Sequence, residues 1–226
     1  MKELLTFDIE TIPQSSMSVA QQEEFDKRII QFLRRKFGDK ESYTDSERLE
    51  VRGITMATTP YLGEIVCIGL HKVTNSEEGS IALIGSEIEI LKSFWRNLDG
   101  WKGTFISFNG LDFDVPFIIK RSMHLGILPT NNDFLDLKRF SRWPHFDVKA
   151  VIGDFDKFAT GNLDLICDFV GVDSPKHGDI KADGVEDAFY AGKINLIAEY
   201  CLRDVVATYQ VYEKIKNYTY KNPKAY

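Results

Sequence analysis

The residues best equipped for chemistry come early in the chain. In "LLTFDIETIP", residues 4–13, Asp8 and Glu10 interrupt a run that holds Leu4, Leu5, Phe7 and Ile9. Alternate residues of a strand share a face, so the two carboxylates project to one side, about 7 Å apart along the chain. Two like charges on one face of an apolar strand repel each other and resist burial. A divalent cation between them removes both penalties. Oxygen-only ligation suits Mg²⁺ or Mn²⁺, which keep open positions for water and substrate phosphates. The competing reading is an edge strand that shows both groups to solvent.

A cation site of this kind needs more carboxylates from elsewhere. "SFNGLDFDVPF", residues 107–117, offers Asp112 and Asp114 between a strand and a helix, although Asp114 also suits a simple helix N-cap. Asp204, in "AEYCLRDVVATY", falls in a strongly helical stretch with Tyr200 one turn earlier on the same face. Taken singly, Asp204 fits an ion pair with Arg203, and Tyr200 fits a half-buried packing role. The joint occurrence of three such segments weakens each of these readings.

The elements that must carry these groups follow from pattern. Residues 3–9 read as a buried strand, and "GEIVCIGLHKV" (63–73) and "SIALIG" (80–85) as two more, antiparallel neighbours around the polar turn "TNSEEG". In "SEIEILKSFWRNL", Ser86 and Glu89 have capping-box spacing, and Ile88, Leu91, Phe94, Trp95 and Leu98 recur at helical spacing. "TFISF" (104–108) is a fourth strand. "VPFIIKRSMHLG" reads as a helix with Pro116 in its first turn and Gly126 near its end. From about Ile194 to Lys216, a stripe of Ile197, Cys201, Val205, Thr208, Val211 and Ile215 marks a long final helix.

The segment 14–60 breaks this order. "SVAQQEEFDKRIIQFLRRKF" is amphipathic and charged, and "GDKESYTDSERLEVRG" is polar without a sheet pattern, so the segment reads as an insertion into one domain spanning 1–226. The basic run Arg34, Arg35 and Lys36 could touch a phosphate backbone, but a solvated helix face is the commoner use of such a run.

A net charge of −6 argues against holding nucleic acid through a broad basic surface, and leaves open phosphate contact through bound metal. Cys67, Cys167 and Cys201 are scattered and odd in number, which indicates neither a disulfide framework nor a zinc site. A reducing cytoplasm fits this usage. "MKELLTF" is too short an apolar run for a signal peptide, and no run of about 18 apolar residues occurs, so a soluble, cytoplasmic chain without membrane attachment is expected.

With these residues in view, the chain resembles the DEDD 3′–5′ exonucleases of ribonuclease H-like fold, which are named for four acidic residues in three motifs. "FDIET" looks like the first motif, "NGLDFDVPF" like the second as it occurs in the proofreading domains of family B DNA polymerases, and "YCLRD" like the third in its tyrosine form. The motifs appear in the family's order over about 200 residues. "WPHFDVKAVIGDF" and the tail from "NLDLICDFVGVDSPK" to "ATYQVY" resemble stand-alone bacterial exonucleases related to those polymerase domains.

The resemblance implies an α/β fold, a mixed central sheet flanked by helices, with a helical insertion after the first strand. It implies a metal-dependent enzyme with two divalent cations, Mg²⁺ or Mn²⁺, that releases 5′ mononucleotides from a 3′ end. Asp8, Glu10, Asp114 and Asp204 match the metal-ligand positions, Asp114 better than Asp112 because it sits in Phe-Asp-x-Pro. In the implied mechanism Asp8 bridges both cations, Glu10 and Asp204 serve the nucleophile side, and Asp114 holds the second cation largely through water. Tyr200 matches the tyrosine that orients the attacking water. The histidine subclass requires His at position 199, which is Glu199 here. Thr11 and Asn109 match contacts to the terminal nucleotide more weakly. Single-stranded DNA is the expected substrate, with RNA trimming as the alternative and a catalytically silent nucleic-acid-binding module as a more distant one. A polymerase or repair partner would be met in trans.

Overall fold

A computed structural model describes residues 3–138, 140–156, 161–175 and 184–219. Part of the tail that carries the family resemblance, 176–183, lies outside the described residues. A five-stranded mixed sheet has the order β3-β2-β1-β4-β5, from β1 (Leu4–Pro13), β2 (Gly63–Val73), β3 (Glu78–Leu83), β4 (Thr104–Ser107) and β5 (His145–Asp147). β1, β2 and β3 are antiparallel neighbours, whereas β4 runs parallel to β1 and β5 parallel to β4. This is the ribonuclease H-like sheet the sequence implies. It also removes the edge-strand reading, because β1 is the central strand.

Both faces of β1 are covered, by different partners. Leu5, Phe7 and Ile9 pack with α3 (Glu87–Leu98) and α4 (Asp114–His124) in a core rich in rings, including Phe94, Trp95, Phe105 and Phe134. On the opposite face lies α8 (Ile194–Ile215), where the apolar seam divides into two clusters. Leu4 joins Ile106, Ala207, Val211 and Ile215, while Ile12 joins Val66, Ile197 and Cys201. Asp8 and Glu10 occupy β1 between Leu4 and Ile12, in the gap between the two clusters. The α8 stripe read from the sequence is buried throughout.

The capping box at Ser86 and Glu89 forms as its spacing predicts. Arg121 of α4 grips Glu87 of α3 with a two-pronged pair, Nε to Oε1 at 2.8 Å and Nη2 to Oε2 at 2.6 Å. The insertion is helical, with α1 (Val19–Phe37) and α2 (Asp45–Ala57) both opened by capping boxes. The polar stretch at 38–53 lacks the apolar stripe that announces a helix, yet Thr44 and Glu47 start one there. Arg34, Arg35 and Lys36 are exposed at the end of α1, with Arg34 paired to Asp39 and Lys36 to Glu50. That is the solvated helix face. Among the described residues, no helix is long and apolar enough to cross a membrane.

Candidate active site

Strands β1 and β4 pair only from Leu4 to Thr6, against Thr104 to Ile106, and then part. Beyond that point β1 has β2 on one side and a gap on the other. Ligand sites of open α/β sheets form where strands separate at their carboxyl ends, and this gap is such a place. Asp114 enters it from the first turn of α4. Its Oδ1 accepts the backbone N–H of Ile9 at 3.0 Å, between the two acidic residues of β1. Asp114 is 2% exposed and does not cap the helix; Phe113 occupies the N-cap position and makes no side-chain cap bond. Asp112, its rival in the sequence, is exposed.

The α8 contribution depends on a close approach of helix and sheet. Asp8 pairs across the ladder with Gly69, and a Cβ at Gly69 would lie 2.8 Å from Val205 Cγ2 and 2.9 Å from Cys201 Sγ. Only a residue without a side chain lets α8 come this near. Sequence patterning did not single out Gly69, because a lone glycine in a strand signals a bulge or a close approach without saying which. Cys201 Sγ donates weakly to the Asp8 carbonyl oxygen at 3.6 Å and lies 3.9 Å from Asp8 Oδ2. Ligand atoms of Asp8, Glu10 and Cys201 all fall within 4.8 Å of one another. A hydrogen bond with the neighbouring Cys67, together with burial, pushes the Cys201 thiol well up, so it stays protonated beside the carboxylates and is a poor ligand for a hard cation.

The electrostatics show that the acidic groups share one site. Burial raises the Asp8 carboxyl far above the usual carboxylate range, and the charges of Asp114, Glu10 and Asp204 raise it further. Glu10, 8% exposed, is raised by burial and then by Asp204, Cys67 and Asp114. Burial lifts Asp114 to about 7, against the pull of backbone N–H bonds. Tyr200, half-buried, donates its hydroxyl to Asp204, and burial with the nearby Asp204, Glu10 and Asp8 holds its phenol far above the normal range. Arg203 lies 6.0 Å from the centre of the Tyr200 ring and donates to the Pro175 carbonyl oxygen.

Burial raises Asp8, Glu10 and Asp114, and together with Asp204 they form a donor set that fits hard divalent cations. The fit rests on this chemistry: carboxylate oxygens converging from β1, α4 and α8, whose charges a divalent cation would balance. Of the two weaker candidates, Thr11 spends its hydroxyl proton on the Ala57 carbonyl at 2.8 Å, tying β1 to α2. Asn109 is half-buried at the end of β4 with φ 66°.

Comparisons with known proteins bear on the fold and the family. The chain is 26% identical over 221 residues to a DNA polymerase of Pyrococcus glycovorans, a match that covers 92% of this chain and 24% of that protein. The family B DNA polymerase from the hyperthermophilic archaeon Pyrobaculum calidifontis is similar in structure, with a TM-score of 0.57 and 16% identity over 96% of this chain and 25% of that one. The chain thus spans about a quarter of the length of each relative. The family described as "predicted 3′-5′ exonuclease related to the exonuclease domain of PolB" matches residues 59–222, a span that includes Asp114, Tyr200 and Asp204. On that match, across most of its length, the chain belongs to this family.

Proposed function

We propose that this protein is a metal-dependent 3′–5′ exonuclease that hydrolyses the terminal phosphodiester of single-stranded DNA and releases 5′ mononucleotides. One observation carries the reading: Asp8, Glu10, Asp114 and Asp204, brought from three distant segments, converge on a single cleft beside Tyr200, where burial and the charges of Asp114 and Asp204 raise the Asp8 and Glu10 carboxyls. The relatives are DNA polymerases, which supports DNA over RNA as the substrate.

Asp8, Glu10, Asp114 and Asp204 would hold two divalent cations, Mg²⁺ or Mn²⁺. When bound, such cations lower the pKa of an attacking water and stabilise charge on the leaving 3′ oxygen. The chain's own residues do the rest. The Ile9 N–H fixes Asp114 Oδ1 and with it the orientation of the carboxylate. Tyr200, anchored on Asp204, orients the water; a phenol held so firmly protonated positions the nucleophile and does not act as its base. Thr11 and Asn109 flank the cleft as contacts to the terminal nucleotide, Thr11 with its oxygen still able to accept. In keeping with the net charge of −6, the terminal phosphate is held chiefly through the cations. Residues 1–226 act as one domain carrying the 14–60 insertion.

The test uses matched DNA and RNA single strands, 5′-labelled, each with a free or a phosphate-blocked 3′ end, in Mg²⁺ or Mn²⁺. A descending ladder from the free DNA end, with slower shortening of RNA, is expected. Faster RNA shortening would move the substrate to RNA, and internal cuts or digestion from the 5′ end would overturn the reading.

A further inference from the structure

β5 ends in a carboxylate that the chemistry above does not use. Asp147 is 2% exposed, and both its oxygens are occupied by backbone donors. Oδ1 accepts from Asn109 N at 3.0 Å and from Ala150 N at 3.1 Å, and Oδ2 accepts from Leu111 N at 3.0 Å. The Ala150 bond caps α5 (Val148–Ile152). The other two grip alternate amides of the loop that joins β4 to α4, 36 and 38 residues away in sequence.

That loop is tightly constrained. Asn109 takes φ 66°, and a Cβ on Gly110 would lie 2.3 Å from Ser107 Oγ. The Gly110 carbonyl then accepts Val115 N at 2.9 Å, which ties the loop to the first turn of α4, beside Asp114. A backbone turned this way is held by interactions outside itself, and the two loop amides bound to Asp147 supply them. With both oxygens committed to N–H groups, Asp147 is poorly placed to serve as a cation ligand. Its charge is nevertheless felt at Asp114.

We infer that Asp147 is a positioning residue of this site: by gathering the amides of Asn109 and Leu111 it fixes the β4–α4 loop, and through it the Asp114 carboxylate against Ile9. The inference rests on the exonuclease reading for its functional consequence, while the contact chain itself needs neither metal nor nucleic acid.

The test pairs Asp147→Asn, which keeps the size but puts an NH₂ group among N–H donors, with Asp147→Ser, which can still cap α5 but cannot span both loop amides. The readout is the backbone amide of Ile9, followed by NMR in metal-free protein. In both variants its resonance should move in the direction seen for Asp114→Asn, and its hydrogen exchange should speed at least tenfold. In the nuclease assay kcat should fall at least tenfold, with a smaller rise in KM for the strand because the loosened loop also carries Asn109. A folded variant with the Ile9 amide at its wild-type shift and exchange rate would overturn the inference. If Asp147→Asn fails to fold, Asp147→Ser decides. Wild-type protein without nuclease activity would overturn the exonuclease reading alone, because the Ile9 amide still reports on Asp147.

Discussion

The Asp114 carboxylate accepts the backbone N–H of Ile9 across 105 residues of sequence, at 3.0 Å. A hydrogen bond to an ionised carboxylate contributes on the order of 1.5–3 kcal/mol. Here it closes the place where β1 leaves β4 and sets Asp114 beside Asp8 and Glu10. The group that would be an orphan donor at the split in the sheet thereby fixes a candidate ligand.

Stability should depend on pH in an unusual direction. Asp114 rises from an ordinary 3.8 to about 7, and Asp8 and Glu10 are raised as well. A carboxyl with a higher pKa folded than unfolded binds its proton more tightly in the native state. Its stabilising effect is complete below the unfolded value and is lost as pH climbs through the folded one. Chelated protein should therefore show a falling Tm between about pH 5 and pH 8. Saturating Mn²⁺, which binds the deprotonated groups, should flatten or reverse the slope. A Tm in chelator that rises across this window contradicts the raised values.

The same repulsion predicts a trade-off at Asp8. Asp8→Asn removes one of the crowded like charges, so the chelated variant should melt a few degrees above the wild type at pH 8, about 1 kcal/mol or more for a chain of this size. Nuclease activity should fall at least about a thousandfold, on the expectation that one ligand supplies several kcal/mol of transition-state stabilisation. Calorimetric melting alongside the nuclease assay checks both halves.

Tyr200→Phe removes the hydroxyl bonded to Asp204 and leaves all four carboxylates. The rate should drop about ten- to a hundredfold with Mn²⁺ affinity nearly unchanged by calorimetric titration. Loss of metal affinity as severe as in Asp8→Ala would assign Tyr200 a different role.

Gly69→Ala places a methyl 2.8 Å from Val205 and 2.9 Å from Cys201, so α8 must shift away from β1. Overpacking of this kind costs about 1–3 kcal/mol. Because α8 carries both Tyr200 and Asp204, kcat should fall further than the lost stability explains. Wild-type kcat in a folded Gly69→Ala protein would show that the approach is not critical.

Much of this site was legible in the sequence because its groups sit in locally patterned elements. An alternating strand displays Asp8 and Glu10 on one face, and a 3.6-residue stripe places Tyr200 and Asp204 one turn apart. Phe-Asp-x-Pro distinguished buried Asp114 from exposed Asp112. What stayed hidden depends on long-range packing. The β5 strand has three residues, too few for a periodic signal. Helix α2 begins in a polar stretch, and its buried residues, Val51, Thr55 and Met56, come only in its second half. Gly69 gains its meaning only from Cys201 and Val205, more than 130 positions later in the chain, and the contact of Asp114 with Ile9 has no local sequence signature.

The central claim is that carboxylates from β1, α4 and α8 form one hydrolytic centre. Its most direct test is the rate of 5′ mononucleotide release in Mg²⁺ from a single DNA strand with a free 3′ end, comparing wild type with Asp8→Ala and Asp204→Ala, each verified as folded by circular dichroism. The account predicts release by the wild type and none detectable from either variant; undiminished release by either would contradict it.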